Sequence, residues 1–137
     1  MSWSWLLNFS RSRHSELYGL STQQVVTKLI IPETKEKHLR YVDILPEVCV
    51  SAPTYFVSHV WASPFLELVS SLQSYLNLSE TDRKSKYIFL WIDIFAVNQH
   101  RESTEQASDL RDLHLAIKNA TASTLVCLDN QGKLLTR

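Results

Sequence analysis

The sequence predicts a doubly wound α/β protein: a parallel sheet, incomplete, with about three core strands and flanking helices. The first observation behind this is the run at residues 87–99, Tyr-Ile-Phe-Leu-Trp-Ile-Asp-Ile-Phe-Ala-Val-Asn-Gln, nearly unbroken in apolar character until its polar end. A strand with one face in water would alternate, so both faces of this one are expected to be covered, as in a parallel sheet. The second is order: from residue 54 onward the chain reads strand, helix, strand, helix, strand, the alternation that builds parallel sheets through crossover helices. The third is length, since 137 residues suffice for one domain with a sizeable core and hardly for two.

Taken in order, residues 1–12 carry Trp3, Trp5, Leu6, Leu7 and Phe9, a run too short and too interrupted for a signal peptide or a membrane span. Residues 1–19 are expected to be a poorly ordered or loosely docked segment ahead of an α/β domain at 20–137; an amphipathic interfacial anchor backed by Arg11 and Arg13 is the other reading. Ser21 and Gln24 have the spacing of a capping box, and Val25, Val26, Leu29 and Ile30 recur at helical intervals up to Pro32. Residues 32–37 are turn-like, and residues 40–45 suit a brief strand or extended arm ending at Pro46. Tyr55, Phe56 and Val57 begin the first core strand. Ser63 and Pro64 offer an N-cap and a first-turn proline to a helix whose apolar face is Phe65, Leu68, Val69, Leu72 and Leu76, with Glu67, Ser70 and Gln73 toward water.

After a polar loop at 77–86 comes the long apolar run. Ser103 and Gln106 then form a second possible capping box before Ala107, Leu110, Leu113, Ile117 and Ala120. Residues 123–128 make the third strand, closed by the turn residues Asp129, Asn130 and Gly132. Three strands are few for this class, and the edge beside the third is expected to be unpaired, which favours self-association.

Composition excludes several functions. Formal net charge is zero, which removes the broad attraction expected of a nucleic-acid or acidic-membrane binder. The apolar share of 45% and charged share of 20% suit an ordinary globular protein, expected in the cytoplasm. Cys49 and Cys127 stand alone, so a reducing compartment is the simpler reading than a disulfide. Gly19 and Gly132 are the only glycines, too few for a phosphate-binding loop of either common type. Five histidines and two cysteines show no zinc-like spacing. Ser58 lacks the glycine-flanked elbow of a nucleophilic serine, and Cys127 lies inside an apolar strand, where thiols are usually inert. The charged stretch at 80–86 reads as a solvated loop.

Ligands of open α/β sheets bind beyond the carboxyl ends of the strands. Three loops should meet there: one with Ser58, His59 and Trp61, one with Asn98, Gln99 and His100, one with Asp129 and Asn130. Together with Trp91 and Asp93 these offer hydrogen bonds to ribose hydroxyls and rings to stack on a base. Asp93 is the anomaly of the apolar run, since a buried carboxylate must find donors or sit at an opening. Each residue also has a plain structural reading. Trp61 and Trp91 can fill a core, His59 can be a hydrogen-bonded strand-end imidazole, Asp93 can cap a turn, and Asn98 and Gln99 can satisfy loop backbone. Their convergence at one edge favours a nucleotide-binding set of Ser58, His59, Trp61, Trp91, Asp93, Asn98 and Gln99, with no catalytic residue and no metal ligand assigned.

Two of these segments resemble known families. Residues 55–59, Tyr-Phe-Val-Ser-His, resemble the first-strand signature of Toll/interleukin-1 receptor (TIR) domains, and Ser-His-Val-Trp at 58–61 is similar to the opening motif of heterokaryon-incompatibility (HET) domains. Residues 90–99 resemble the HET motif W-I-D-x-x-C-I-N-Q, with Ala96 in place of its cysteine, Ala62 in place of a glycine and Leu110 where methionine is frequent. The closer resemblance is to TIR-like modules of algal and other protist proteins, and it extends from about Leu20 onward. It implies a flavodoxin-like (TIR-like) sheet and NAD as a possible ligand or substrate. In that group the strand matching 123–128 is followed by a tryptophan-cysteine-leucine-x-glutamate motif, whose glutamate cleaves the nicotinamide bond; residues 134–137 stand where it would begin. A carboxylate there would stabilise the oxocarbenium character of the breaking bond, and Glu102, Glu105 and Asp109 do not match its position. The resemblance therefore implies a signalling or defence module acting by self-association, with a second copy or another TIR-like domain, or by nucleotide binding without turnover. An NAD nucleosidase completed by further sequence or a partner chain is the alternative, and a structural α/β fragment without ligand is the third reading.

Overall fold

The computed structural model describes residues 1–78, 81–100, 113–115, 117–118 and 124–128. Three short strands, β1 (Tyr55–Ser58), β2 (Leu90–Ile92) and β3 (Thr124–Val126), form one open parallel sheet in the order β2-β1-β3. Val57 stands opposite Ile92 on one side and Leu125 on the other, so β1 is the centre. With helices flanking the sheet this is an incomplete doubly wound α/β fold, as the alternation predicts.

The helices are α1 (Trp3–Ser12), α2 (His14–Leu17), α3 (Thr22–Val25), α4 (Ile31–Thr34), α5 (Phe65–Leu76) and α6 (Asp93–Ala96). The Ser21–Gln24 capping box forms: Ser21 N–H donates to Gln24 Oε1 at 2.9 Å and Gln24 N–H to Ser21 Oγ at 3.2 Å. The helical path does not stop at Pro32. A wider π turn, Val26–Ile30, joins α3 to α4, and Pro32 sits in the first turn of α4, where its missing N–H costs little. The helix after β1 begins one residue later than expected, at Phe65, with Pro64 as its cap and no side-chain capping bond. It ends at Asn77, which adopts the left-handed conformation (φ 47°) and donates to Gln73 O.

Three further expectations are corrected. The opening segment is not loose: Trp3, Leu6 and Leu7 are at most 1% exposed and Phe9 is 5% exposed. Its apolar residues recur at helical spacing once Ser2 caps the first turn through Trp5 N–H, and they form a stripe wide enough to serve as core. Trp5 stacks on Phe9, and both meet Tyr41 and Phe95, with Phe65 against Phe9 and Phe95. Residues 40–45 hold no strand; Tyr41–Ile44 is a 3₁₀ turn, braced by the Arg40 guanidinium on Asp43. The long apolar run contributes only Leu90–Ile92 as strand, because Asp93 accepts the N–H of Ile94 and turns the chain into α6.

Burial along the strands alternates, against the expectation of two covered faces. Val57, Leu90, Ile92 and Leu125 belong to the same buried cluster as Leu6 of α1 and Phe65 and Leu72 of α5. On the other face Phe56 stacks on Trp91 at 4.7 Å, both partly buried, and Thr124 and Val126 are exposed. Residues 113–115 and 117–118 are helical; the capping pair Ser103 and Gln106 and the turn at 129–132 lie outside the described residues.

The β2 edge is occupied by the chain's own beginning. Met1 and Leu90 exchange hydrogen bonds of 2.8 and 2.7 Å, Trp3 N–H donates to Ile88 O at 2.9 Å, and Ser2 bridges Phe89 in antiparallel sense. Among the described residues no helix is long and apolar enough to cross a membrane.

Candidate functional site

The first cluster forms where the loop leaving β1 meets the start of α6. Asp93 is mostly buried, with 16% of its side chain exposed, and its donors are now visible. Oδ2 accepts the indole N–H of Trp61 at 2.8 Å, Oδ1 accepts the N–H of Ile94 at 2.8 Å, and Nε2 of the buried His59 lies 3.8 Å from Oδ1. A carboxylate satisfied by a backbone and an indole donor is stable where an isolated one would not be. The arrangement staples the ends of two adjacent parallel strands. Residues 20–23 hold the same loop from outside: Thr22 N–H donates to Ser63 O, Gln23 N–H to Trp61 O, and Leu20 O accepts from Phe65 N–H.

The opening lies on the other side of β1. A crevice between the carboxyl ends of β1 and β3 and the first turns of α5 is lined by His59, Ser63, Glu67, Ser71, Cys127 and Leu128. Ser58 O accepts from Cys127 N–H at 2.8 Å and ties the two strand ends together beneath it. In the order β2-β1-β3 the chain crosses to one side of β1 and then to the other, so β1/β3 is the switch point at which open α/β sheets take their ligands. Glu67 and Ser71 stand four apart on one face of α5, and Ser63 joins them in the lining from the turn just ahead of the helix. The crevice is small and partly open to solvent, so a ligand of nucleotide size would lie mostly outward from it. Burial pushes the Cys127 thiol upward, which keeps it protonated at neutral pH and unsuited to nucleophilic attack.

Of the residues expected to form one mouth, His59, Trp61 and Asp93 come together and Ser58 ends β1 beside them. The other three do different work. Trp91 lies within β2 and stacks on Phe56 on the sheet face. Asn98 donates to His38 O at 2.7 Å and accepts the N–H of His100 at 2.9 Å, which makes it a loop clasp. Gln99 donates to Asp93 O and Val97 O, both at 3.2 Å. His100 reaches Thr34 Oγ1 at 2.7 Å and stacks on His38, and burial followed by the charge of His38 lowers its pKa. Their loop is thus fastened to residues 34–38 and contributes nothing to the crevice lining. Asp129 and Asn130 lie outside the described residues. Ser63, Glu67 and Ser71 of the crevice lining lie outside the set the sequence suggests, although Glu67 and Ser71 stand at helical spacing. What was not readable is that β3 returns beside β1.

Among the described residues no group of three or more histidine, cysteine, aspartate or glutamate side chains is placed to hold a metal ion. No known protein family, no curated protein and no solved structure matches the chain.

Proposed function

We propose that the chain is a TIR/HET-like signalling or defence module whose working site is the β1/β3 crevice, binding a nucleotide such as NAD without turning it over. One observation carries this reading: the crevice opens at the switch point of the sheet, with His59 just past β1, Ser63, and Glu67 and Ser71 of α5 around it. A second supports the resemblance behind it. The two segments that carry the family-like motifs, 55–61 and 90–99, are joined side chain to side chain by the Trp61–Asp93 hydrogen bond.

Titration calorimetry with NAD and with ADP-ribose tests the proposal. Saturable binding is expected, accompanied by a change in the fluorescence of Trp61, which lies two residues from His59 on the crevice wall; Trp61→Phe removes that change. Absence of saturable heat up to millimolar ligand overturns the reading. Sustained, protein-dependent release of nicotinamide from NAD replaces it with the nucleosidase alternative. Self-association is the second reading, favoured by Val126 at the end of β3 and Leu128 just beyond it, which are 52% and 49% exposed. Sedimentation that shows one stable monomer at all concentrations removes it.

A further inference from the structure

We infer that Glu67 makes the crevice a reader of an unphosphorylated ribose, selecting a free vicinal diol and rejecting a sugar that carries a phosphate. This rests on the nucleotide reading above and names the part of the ligand the site recognises. Among the described residues lining the crevice Glu67 is the one carboxylate, and no lysine or arginine joins it. Its neighbours in the lining are the hydroxyls of Ser63, in the turn just ahead of α5, and of Ser71, one turn further along the same face of α5, and the imidazole of His59.

The chemistry of that set is one-sided. An ionised carboxylate only accepts hydrogen bonds, through two oxygens, and two adjacent sugar hydroxyls present two donors to it. Serine hydroxyls can give or accept, and complete the contact with either hydroxyl or ring oxygen. A phosphate brings only acceptors and about two negative charges, so it meets Glu67 with like charge and with no cation in the described lining to offset it. Nucleotide sites use the same contrast in general, with an acidic side chain on a free 2′-hydroxyl and a basic one near a 2′-phosphate.

Glu67 also has an ordinary structural role. It lies in the first turn of α5, where a negative charge complements the helix dipole, and it is exposed. That contribution is small, so variants at this position are expected to fold and can report on binding.

The test is calorimetry of the full chain with NAD, with its 2′-phosphorylated counterpart NADP, and with D-ribose, for the wild type, Glu67→Gln and Glu67→Lys, each checked for an unchanged circular dichroism spectrum. The wild type is expected to bind NAD at least about tenfold more tightly than NADP, with D-ribose too weak to measure. Glu67→Gln is expected to weaken NAD by about tenfold, the loss of a charged hydrogen bond, and Glu67→Lys to invert the preference toward NADP. Equal wild-type affinity for NAD and NADP, unaltered in Glu67→Gln, overturns the inference while the nucleotide reading stands. No binding of either dinucleotide overturns the nucleotide reading itself, and D-ribose bound as tightly as NAD assigns the diol to a free sugar and does the same.

Discussion

The amino-terminal helix and the loop after β1 each carry a tryptophan that the fold depends on, and the two indoles live in opposite surroundings. Trp3 is fully buried, and its Nε1 finds no hydrogen-bond acceptor among the described residues. Trp61 is only partly buried, and its Nε1 donates to the Asp93 carboxylate at 2.8 Å. One ring contributes by volume and area, the other by a single directed bond. The difference shows why burial alone misjudges a site: the more exposed tryptophan is the one whose polar atom organises the strand ends.

The largest expected effect lies at the buried ring. Trp3→Ala removes the biggest side chain of the sealed core and leaves a cavity under α1, so a loss of about 3–5 kcal/mol in denaturant unfolding is expected. A loss below about 1 kcal/mol would mean that α1 is the loosely docked terminus its position suggests, and the contrast between the two regions would collapse.

The same end of the chain should titrate. Burial pushes the Met1 amine down to about 6 from an ordinary value of 8.0, against a smaller upward pull from the nearby Cys49. Between those values the unfolded chain holds the proton more tightly than the folded one. Stability should therefore be complete above about pH 8, fall as the pH drops, and reach its lower level below about pH 6. The full step is about 2–3 kcal/mol. Unfolding free energies measured from pH 5.5 to 8.5 check it, and acetylating the amine should flatten the profile, since an acetylated nitrogen does not titrate. A step that survives acetylation would assign the titration to another group.

These two regions also mark how far the sequence could be read. The strand–helix alternation, the capping pair Ser21 and Gln24, and the oddity of Asp93 inside an apolar run are local patterns, and each is present in the fold. The docking of α1 depends on pairing of Met1 with Leu90 of β2, 89 residues away, and of Trp3 with Ile88 just before it, which no local window contains. The crevice depends on strand order in the same way, since Glu67 borders it only because β3 lies beside β1 and not beside β2. Asn98 and Gln99 show a complementary limit: polar loop residues bind backbone as readily as ligand, and the carbonyl that Asn98 satisfies belongs to His38, which sequence spacing cannot bring near.

The smallest effect sharpens the comparison most. Replacing each tryptophan by phenylalanine keeps an aromatic ring and deletes the indole N–H. At Trp3 the loss of ring volume in a tight core is offset by removing a buried donor that has no acceptor, so Trp3→Phe is expected to change stability by about 1 kcal/mol or less. At Trp61 less area is lost, yet Asp93 Oδ2 gives up its indole donor, and a charged hydrogen bond is worth about 1.5–3 kcal/mol. Trp61→Phe should therefore destabilise more than Trp3→Phe despite the greater burial of Trp3, the reverse of what exposure predicts. Asp93→Ala combined with Trp61→Phe closes the double-mutant cycle: a coupling of about 1 kcal/mol or more assigns the difference to the bond, whereas additive effects would return Trp61 to an ordinary packing role.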